Sequence, residues 1–141
     1  MENLKDTMID YFETIELILP FKAEYVSTAR LTASSVASKM GFNIEEVEDI
    51  KVALSEVCSK LVSRGSKVVD SYRIVFKLFK DKLTIVFCCE DGTLNCVFDN
   101  ENDSLGIAIM NALMDDVELC TKTEQLLLIS KVLKGEKQDA I

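Results

Sequence analysis

Apolar residues recur along this chain with two different periods, and each change of period marks an element. Ile15-Glu16-Leu17-Ile18-Leu19-Pro20 alternates as a short strand ended by proline. Val26, Ala29, Ala33, Val36, Ala37 and Met40 then follow at three- and four-residue steps, which predicts a helix over Glu24–Met40, stopped by Gly41. Asn43, with Glu46 three residues on, predicts a capping box opening a second helix. Its apolar face comprises Ile44, Val47, Ile50, Ala53, Leu54, Val57, Leu61 and Val62, and Gly65 ends it. Tyr72, Ile74, Phe76 and Leu78 alternate through Tyr72–Phe79, Lys80-Asp81 makes a tight turn, and Leu83–Cys89 returns as a nearly all-apolar, central strand. A polar stretch, Glu90 to Asp103, has room for one short strand at Leu94–Phe98. Ser104–Asp115 reads as a third helix, with Leu105, Ile109, Ala112 and Leu113 in register. Val117–Cys120 and Gln125–Leu133 read as strands joined by a turn at Lys122-Thr123-Glu124. This order predicts an α+β two-layer sandwich, with helices on one face of a mixed, mostly antiparallel sheet.

Composition narrows the picture. The 141 residues suit one domain, with its core over about residues 14–134, and 48% apolar content is too high for a disordered chain. A net charge of -8 argues against direct binding to nucleic acid and is compatible with a protein partner that itself binds DNA or RNA polymerase. No apolar run reaches the roughly 18 residues of a membrane span. Met1–Glu13 carries Glu2, Asp6, Asp10 and Glu13 without a basic start, so no signal peptide and a cytoplasmic location are expected. Five cysteines, at 58, 88, 89, 96 and 120, form no C-x-x-C pair, and there is no histidine. Reduced thiols are therefore expected, with no structural metal and no Ser-His or Cys-His catalysis. Adjacent Cys88 and Cys89 should point to opposite faces of their strand.

Three stretches carry a more specific signal. The first is Glu24-Tyr25-Val26, Arg30-Leu31-Thr32 and Val36-Ala37-Ser38-Lys39-Met40-Gly41. The second is Glu48-Asp49-Ile50-Lys51-Val52-Ala53-Leu54-Ser55-Glu56-Val57-Cys58. The third is Leu105-Gly106-Ile107, Met110 and Leu113-Met114-Asp115-Asp116-Val117. With the element order, they make the chain resemble the anti-sigma factor serine kinases of the RsbW and SpoIIAB type, within the wider ATPase family of histidine kinases, gyrase and Hsp90. The resemblance covers about Ile15 to Leu133. It implies a histidine-kinase-like ATPase fold and a homodimer that sequesters a stress-response or sporulation sigma factor. It also implies an anti-anti-sigma partner, phosphorylated on serine, so that ATP decides which partner is held.

The resemblance also assigns positions. Glu56 matches the catalytic glutamate, a carboxylate that could accept a proton from a substrate hydroxyl. Lys60 stands where the family has its Mg²⁺-binding asparagine; a protonated lysine has donors only, so it repels a metal and attracts phosphate. The adenine-binding aspartate falls at Cys89 without gaps, or at Glu90 with one inserted residue and a bulged strand, followed by Asp91-Gly92. Asp91-Gly92 also reads as a plain turn. The family's glycine-rich phosphate loop ends in a Gly-x-Gly turn; here Ser104 replaces the first glycine, Gly106 remains, and Asp99, Glu101 and Asp103 would repel a triphosphate. Ser104 reads as an ordinary N-cap. Ser130 matches a strand threonine near the nucleotide, and exposed Arg30 is a candidate for pairing with a partner's carboxylate. These departures predict an anti-sigma factor with weakened or absent use of ATP and Mg²⁺. A working serine kinase built on Glu56 and Gly106 is the alternative, and a dimeric module with an unrelated partner is the third reading.

Overall fold

The structure, a computed structural model, describes residues 12–91, 98, 101–119 and 125–134. Its elements are β1 (Glu13–Pro20), a short 3₁₀ turn (Ala23–Tyr25), α1 (Val26–Met40), α2 (Ile44–Arg64), β2 (Ser71–Leu78), β3 (Lys82–Cys88), α3 (Ser104–Leu113), β4 (Asp116–Leu119) and β5 (Gln125–Val132). The strands form one open sheet in the order β1-β2-β3-β5-β4. All four strand pairs are antiparallel, so the sheet is antiparallel throughout the described residues rather than mixed. The α+β two-layer expectation holds. The expected strand at Leu94–Phe98 falls outside the described residues except for Phe98, as does the turn at Lys122–Glu124.

The helices form where the pattern and the caps agree. Asn43 Oδ1 accepts from Glu46 N at 2.8 Å and Glu46 Oε1 accepts from Asn43 N at 2.9 Å, which completes the capping box. Gly41 closes α1 at φ 105°, and Gly41 N and Phe42 N bond back to the carbonyls of Ser38 and Ala37. Ala29, Ala33, Val36 and Ala37 of α1 pack with Val47, Ile50, Leu54, Val57 and Leu61 of α2 in one core. The sheet supplies Tyr72, Ile74, Phe76, Leu83, Ile85, Phe87, Leu127 and Ile129 to the same core. Small alanines on α1 let it lie close against α2.

Two apolar faces differ from the expectation. Ile44 is exposed because it sits in the first turn of α2, beyond the edge of the core. On α3, Leu105 is exposed, Ala112 is exposed and Ile109 is half-buried, while Met110 is fully buried and Ile107 and Leu113 pack on the core. The helix is turned so that Gly106, rather than Leu105, faces inward.

The opposite face of the sheet carries Val75, Val86 and Cys88, all buried, with Leu128 beside them. Cys89 joins the helix-side core, so the adjacent thiols do point to opposite faces. Cys58, Cys88 and Cys89 are free thiols; Cys96 and Cys120 lie outside the described residues. Lys131 ties three elements together: its Nζ donates to the Leu113 carbonyl at the end of α3 and lies 3.6 Å from Asp49 of α2. A cation there satisfies a helix-end carbonyl and the negative end of the dipole.

Candidate functional site

Glu56, Lys60 and Arg64 are spaced four residues apart and so lie on one stripe of α2. That stripe faces the start of α3. A Cβ built on Gly106 would lie 3.2 Å from Glu56 Oε1 and 3.2 Å from Phe98 Cε2. Gly106 therefore admits a carboxylate and an aromatic edge to the backbone of the first turn of α3, which fixes the helix rotation described above. Sequence position alone had paired Glu56 with Gly106 only by resemblance; the fold brings them into contact.

One turn further along α2, two cations converge on one acid. Lys60 Nζ lies 2.6 Å from Asp103 Oδ1, and Arg64 Nη2 donates to Asp103 Oδ2 at 3.0 Å. The Asp103 side chain is 4% exposed, against 34% for Lys60 and 37% for Arg64. A carboxylate this buried needs such partners, because desolvating an unpaired charge is expensive. Asp103, not Ser104, is the N-cap residue of α3, yet its side chain makes no capping bond. It turns toward α2 instead, drawn by two positive charges, and its carbonyl accepts the first helical bond, from Ile107 N at 3.0 Å. Ser104 is the first helical residue and is exposed.

The end of β3 holds the second cluster. The β3–β5 register shifts between Phe87 and Cys88, the irregularity expected if the strand carries a bulge. Cys89 is buried and burial pushes its thiol up, while Glu90 is exposed. The inward carboxylate is Asp91, which is 3% exposed and accepts from Ser66 Oγ at 2.6 Å. Ser66 Oγ in turn accepts from Val68 N and Val69 N at 3.0 and 3.1 Å, so the turn after α2 orients Asp91. Asp91 is thus buried and engaged. Gly92 lies outside the described residues.

Ser130 is not gathered into the site. Its hydroxyl pairs with Thr84 Oγ1 at 3.0 Å on the sheet face opposite Ile129 and Ile85, away from the helices. Strand alternation decides this: a residue next to a core-facing position must point the other way. Arg30 is exposed on α1, next to exposed Leu31, and no described contact links it to the Glu56–Asp103 cluster. A cavity of about 140 Å³ at the rim of the sheet touches Cys89 and Glu90 beside Tyr72 and Arg73. It is too small for a nucleotide, which needs several hundred Å³.

Arg64, Ser66 and Phe98 are site residues that sequence reasoning missed. For Arg64 the signal was present in its four-residue spacing from Lys60; Ser66 lies outside any periodic element, and Phe98 read only as the end of a possible short strand. The described residues at this point do not fit a divalent metal. The position that the resemblance gives to a metal ligand holds an ammonium, and the acid nearest to it is already bound to two cations. Among the described residues no group of three or more histidine, cysteine, aspartate or glutamate side chains is placed to hold a metal ion. No helix among them is long and apolar enough to cross a membrane.

Residues 19–131 match the histidine kinase-like ATPase domain. The chain is 33% identical to the serine-protein kinase RsbW of Bacillus cereus (strain Q1) and to that of Bacillus thuringiensis subsp. konkukian (strain 97-27), covering 92% of this chain and 91% of each relative. It is 32% identical to the corresponding protein of Bacillus thuringiensis (strain Al Hakam) over the same shares. With the sheet, the helix layer and the facing of Glu56 on Gly106, these matches place the chain in the histidine kinase-like ATPase family, among the RsbW-type serine-protein kinases.

Proposed function

We propose that this protein is a cytoplasmic, homodimeric anti-sigma factor of the partner-switching type, with weakened metal-dependent ATP chemistry. It holds an alternative sigma factor of a stress or sporulation response and is released by an anti-anti-sigma protein. The observation that carries the reading is the Lys60–Asp103–Arg64 ion triad. It sets positive charge at the metal position and an internal carboxylate at the helix N-terminus that would otherwise receive phosphate. The helix and sheet scaffold is kept beside this altered site, as suits a protein selected for binding. Arg30, exposed beside Leu31 on α1, is the residue assigned to the partner's carboxylate.

A second reading, an active serine kinase, is favoured by one observation: Glu56 Oε1 lies against Gly106 at the start of α3, positioned as a general base would be. In that reading Asp91, buried and oriented by Ser66, accepts the adenine amino group. Two assays separate the readings. Co-purification with the cognate sigma factor tests the first, and no complex at micromolar concentration removes it. Transfer of labelled phosphate from ATP to the anti-anti-sigma protein, with Mg²⁺, tests the second. Stoichiometric transfer within minutes would make the protein a working kinase.

A further inference from the structure

We propose that Lys60 and Arg64 form a metal-free binding site for the di- or triphosphate chain of a nucleotide, and that Asp103 is an internal anion occupying it until the ligand arrives. The inference rests on the reading of this cleft as the nucleotide site. Four observations carry it. Lys60 and Arg64 lie on the same stripe of α2 as Glu56 and converge on one point. That point holds a carboxylate, bound at 2.6 and 3.0 Å as a ligand's anionic oxygens would be bound. Both cations are held by the same carboxylate, that of Asp103, while Glu56 on the same stripe directs its carboxylate at Gly106. Asp103 also stands at the N-terminus of α3 without capping it, so the first-turn N–H groups receive no bond from its side chain.

A phosphate chain entering here would exchange for Asp103. The Asp103 carboxylate would turn outward to water, the phosphate oxygens would accept from Lys60 Nζ and Arg64 Nη2, and the start of α3 would add backbone donors. Both cations are a third exposed, so they can be reached while Asp103 is still in place. Mg²⁺ would work against this exchange. It neutralises the charge that the two cations recognise and sets a divalent cation beside an ammonium and a guanidinium. The sign of the metal effect is therefore opposite to that of a site with a metal-binding asparagine.

The test is calorimetry of the full chain with ATP, ADP and tripolyphosphate, each in excess EDTA and in excess Mg²⁺. ATP is expected to bind in EDTA and to bind more weakly with Mg²⁺; tighter binding with Mg²⁺ overturns the proposal. Tripolyphosphate is expected to compete, since the cations read only the phosphate chain, and ATP binding without such competition overturns it. Asp103→Asn keeps the shape and removes the internal anion, so metal-free affinity should rise about tenfold, the worth of one exchanged charge-assisted bond. If Asp103→Asn lowers the melting temperature and leaves affinity unchanged, the triad is only a clasp between α2 and α3. The double variant Lys60→Ala/Asp103→Asn removes a cation and its buried partner together, so it should fold and yet lose ATP; retained affinity overturns the assignment. A chain that binds no polyphosphate refutes this inference while leaving the anti-sigma reading intact, whereas loss of sigma-factor capture refutes that reading alone.

Discussion

Replacing Lys60 with asparagine tests the triad as a stabilising unit and the metal argument in one variant. The ammonium lies 2.6 Å from a carboxylate that is 4% exposed. Removing one partner of a fully buried pair costs about 3–5 kcal/mol, whereas an exposed pair is worth about 0–1 kcal/mol. Lys60 is a third exposed, and Arg64 still holds the other oxygen. The expected loss is therefore intermediate, about 1–2 kcal/mol. For a chain of this length each kcal/mol moves the midpoint by roughly 3–5 °C, so a fall of roughly 3–10 °C is expected. Urea denaturation at constant pH and ionic strength measures it, and Asp103→Asn in the same background closes a double-mutant cycle. The coupling between the two positions should be about 1 kcal/mol. A loss below about 0.3 kcal/mol with no coupling would refute the reasoning, because the buried carboxylate would then have no need of the ammonium. The same variant places a carboxamide oxygen at the metal position. Arg64 and Asp103 remain, so Mg·ATP should still bind no tighter than micromolar; submicromolar affinity would show that Lys60 alone blocks the metal.

Three further outcomes follow from the packing. Asn43→Ala removes the side-chain acceptor of the capping box, leaving only the backbone N–H of residue 43 to donate to Glu46, and should destabilise the fold by about 1 kcal/mol, read as a lower urea midpoint with an unchanged slope. Gly106→Ala should be nearly neutral, because a helix-propensity gain of about 0.5–1 kcal/mol opposes the 3.2 Å contacts with Glu56 and Phe98. Gly106→Val should cost about 1–3 kcal/mol by overpacking, part of it recovered by Glu56→Ala in the double variant, and full tolerance of valine would contradict the contact. Burial pushes the Cys58 thiol up to about 12 from an ordinary 9.0, and raises the Tyr72 phenol beside it, whose hydroxyl is buried without a hydrogen bond of ordinary geometry. Both groups are held neutral in the folded chain; the Cys58 contribution is fully present below about pH 9 and is lost as pH rises toward 12, and that of Tyr72 begins to fall only above about pH 10. Stability measured from pH 8.5 to 11 should fall with a slope approaching about 1.4 kcal/mol per pH unit for each group; a flat profile would refute the assignment.

The local pattern carried most of the fold. Alternation in Tyr72–Leu78, the three- and four-residue steps of α1 and α2, and the Asn43/Glu46 and Gly41 boundaries each depend on residues a few positions apart. Such interactions are written in sequence order. They place Glu56, Lys60 and Arg64 on one stripe of α2 without any tertiary information. What that stripe faces depended on packing. The periodicity of α3 pointed to Leu105 as an inward position, but the helix is apolar on most sides, and Glu56 and Phe98 turned Gly106 inward by filling the space beside it. Asp103 read as one of three acids in a polar stretch, and only the approach of α2 turned it into a buried counter-ion 39 positions from Arg64. The burial of Asp91 was likewise not legible locally: Ser66, in the turn after α2, donates to its carboxylate across 25 positions. Ser130 was assigned to the nucleotide by resemblance, and the β5 register sent it to the other face of the sheet. The sequence by itself determined which elements form and which residues share a face, because those are short-range matters of period and capping. The tertiary structure alone decided which charges meet, because the energy of a buried ion pair depends on distance and desolvation, and neither exists until the layers close.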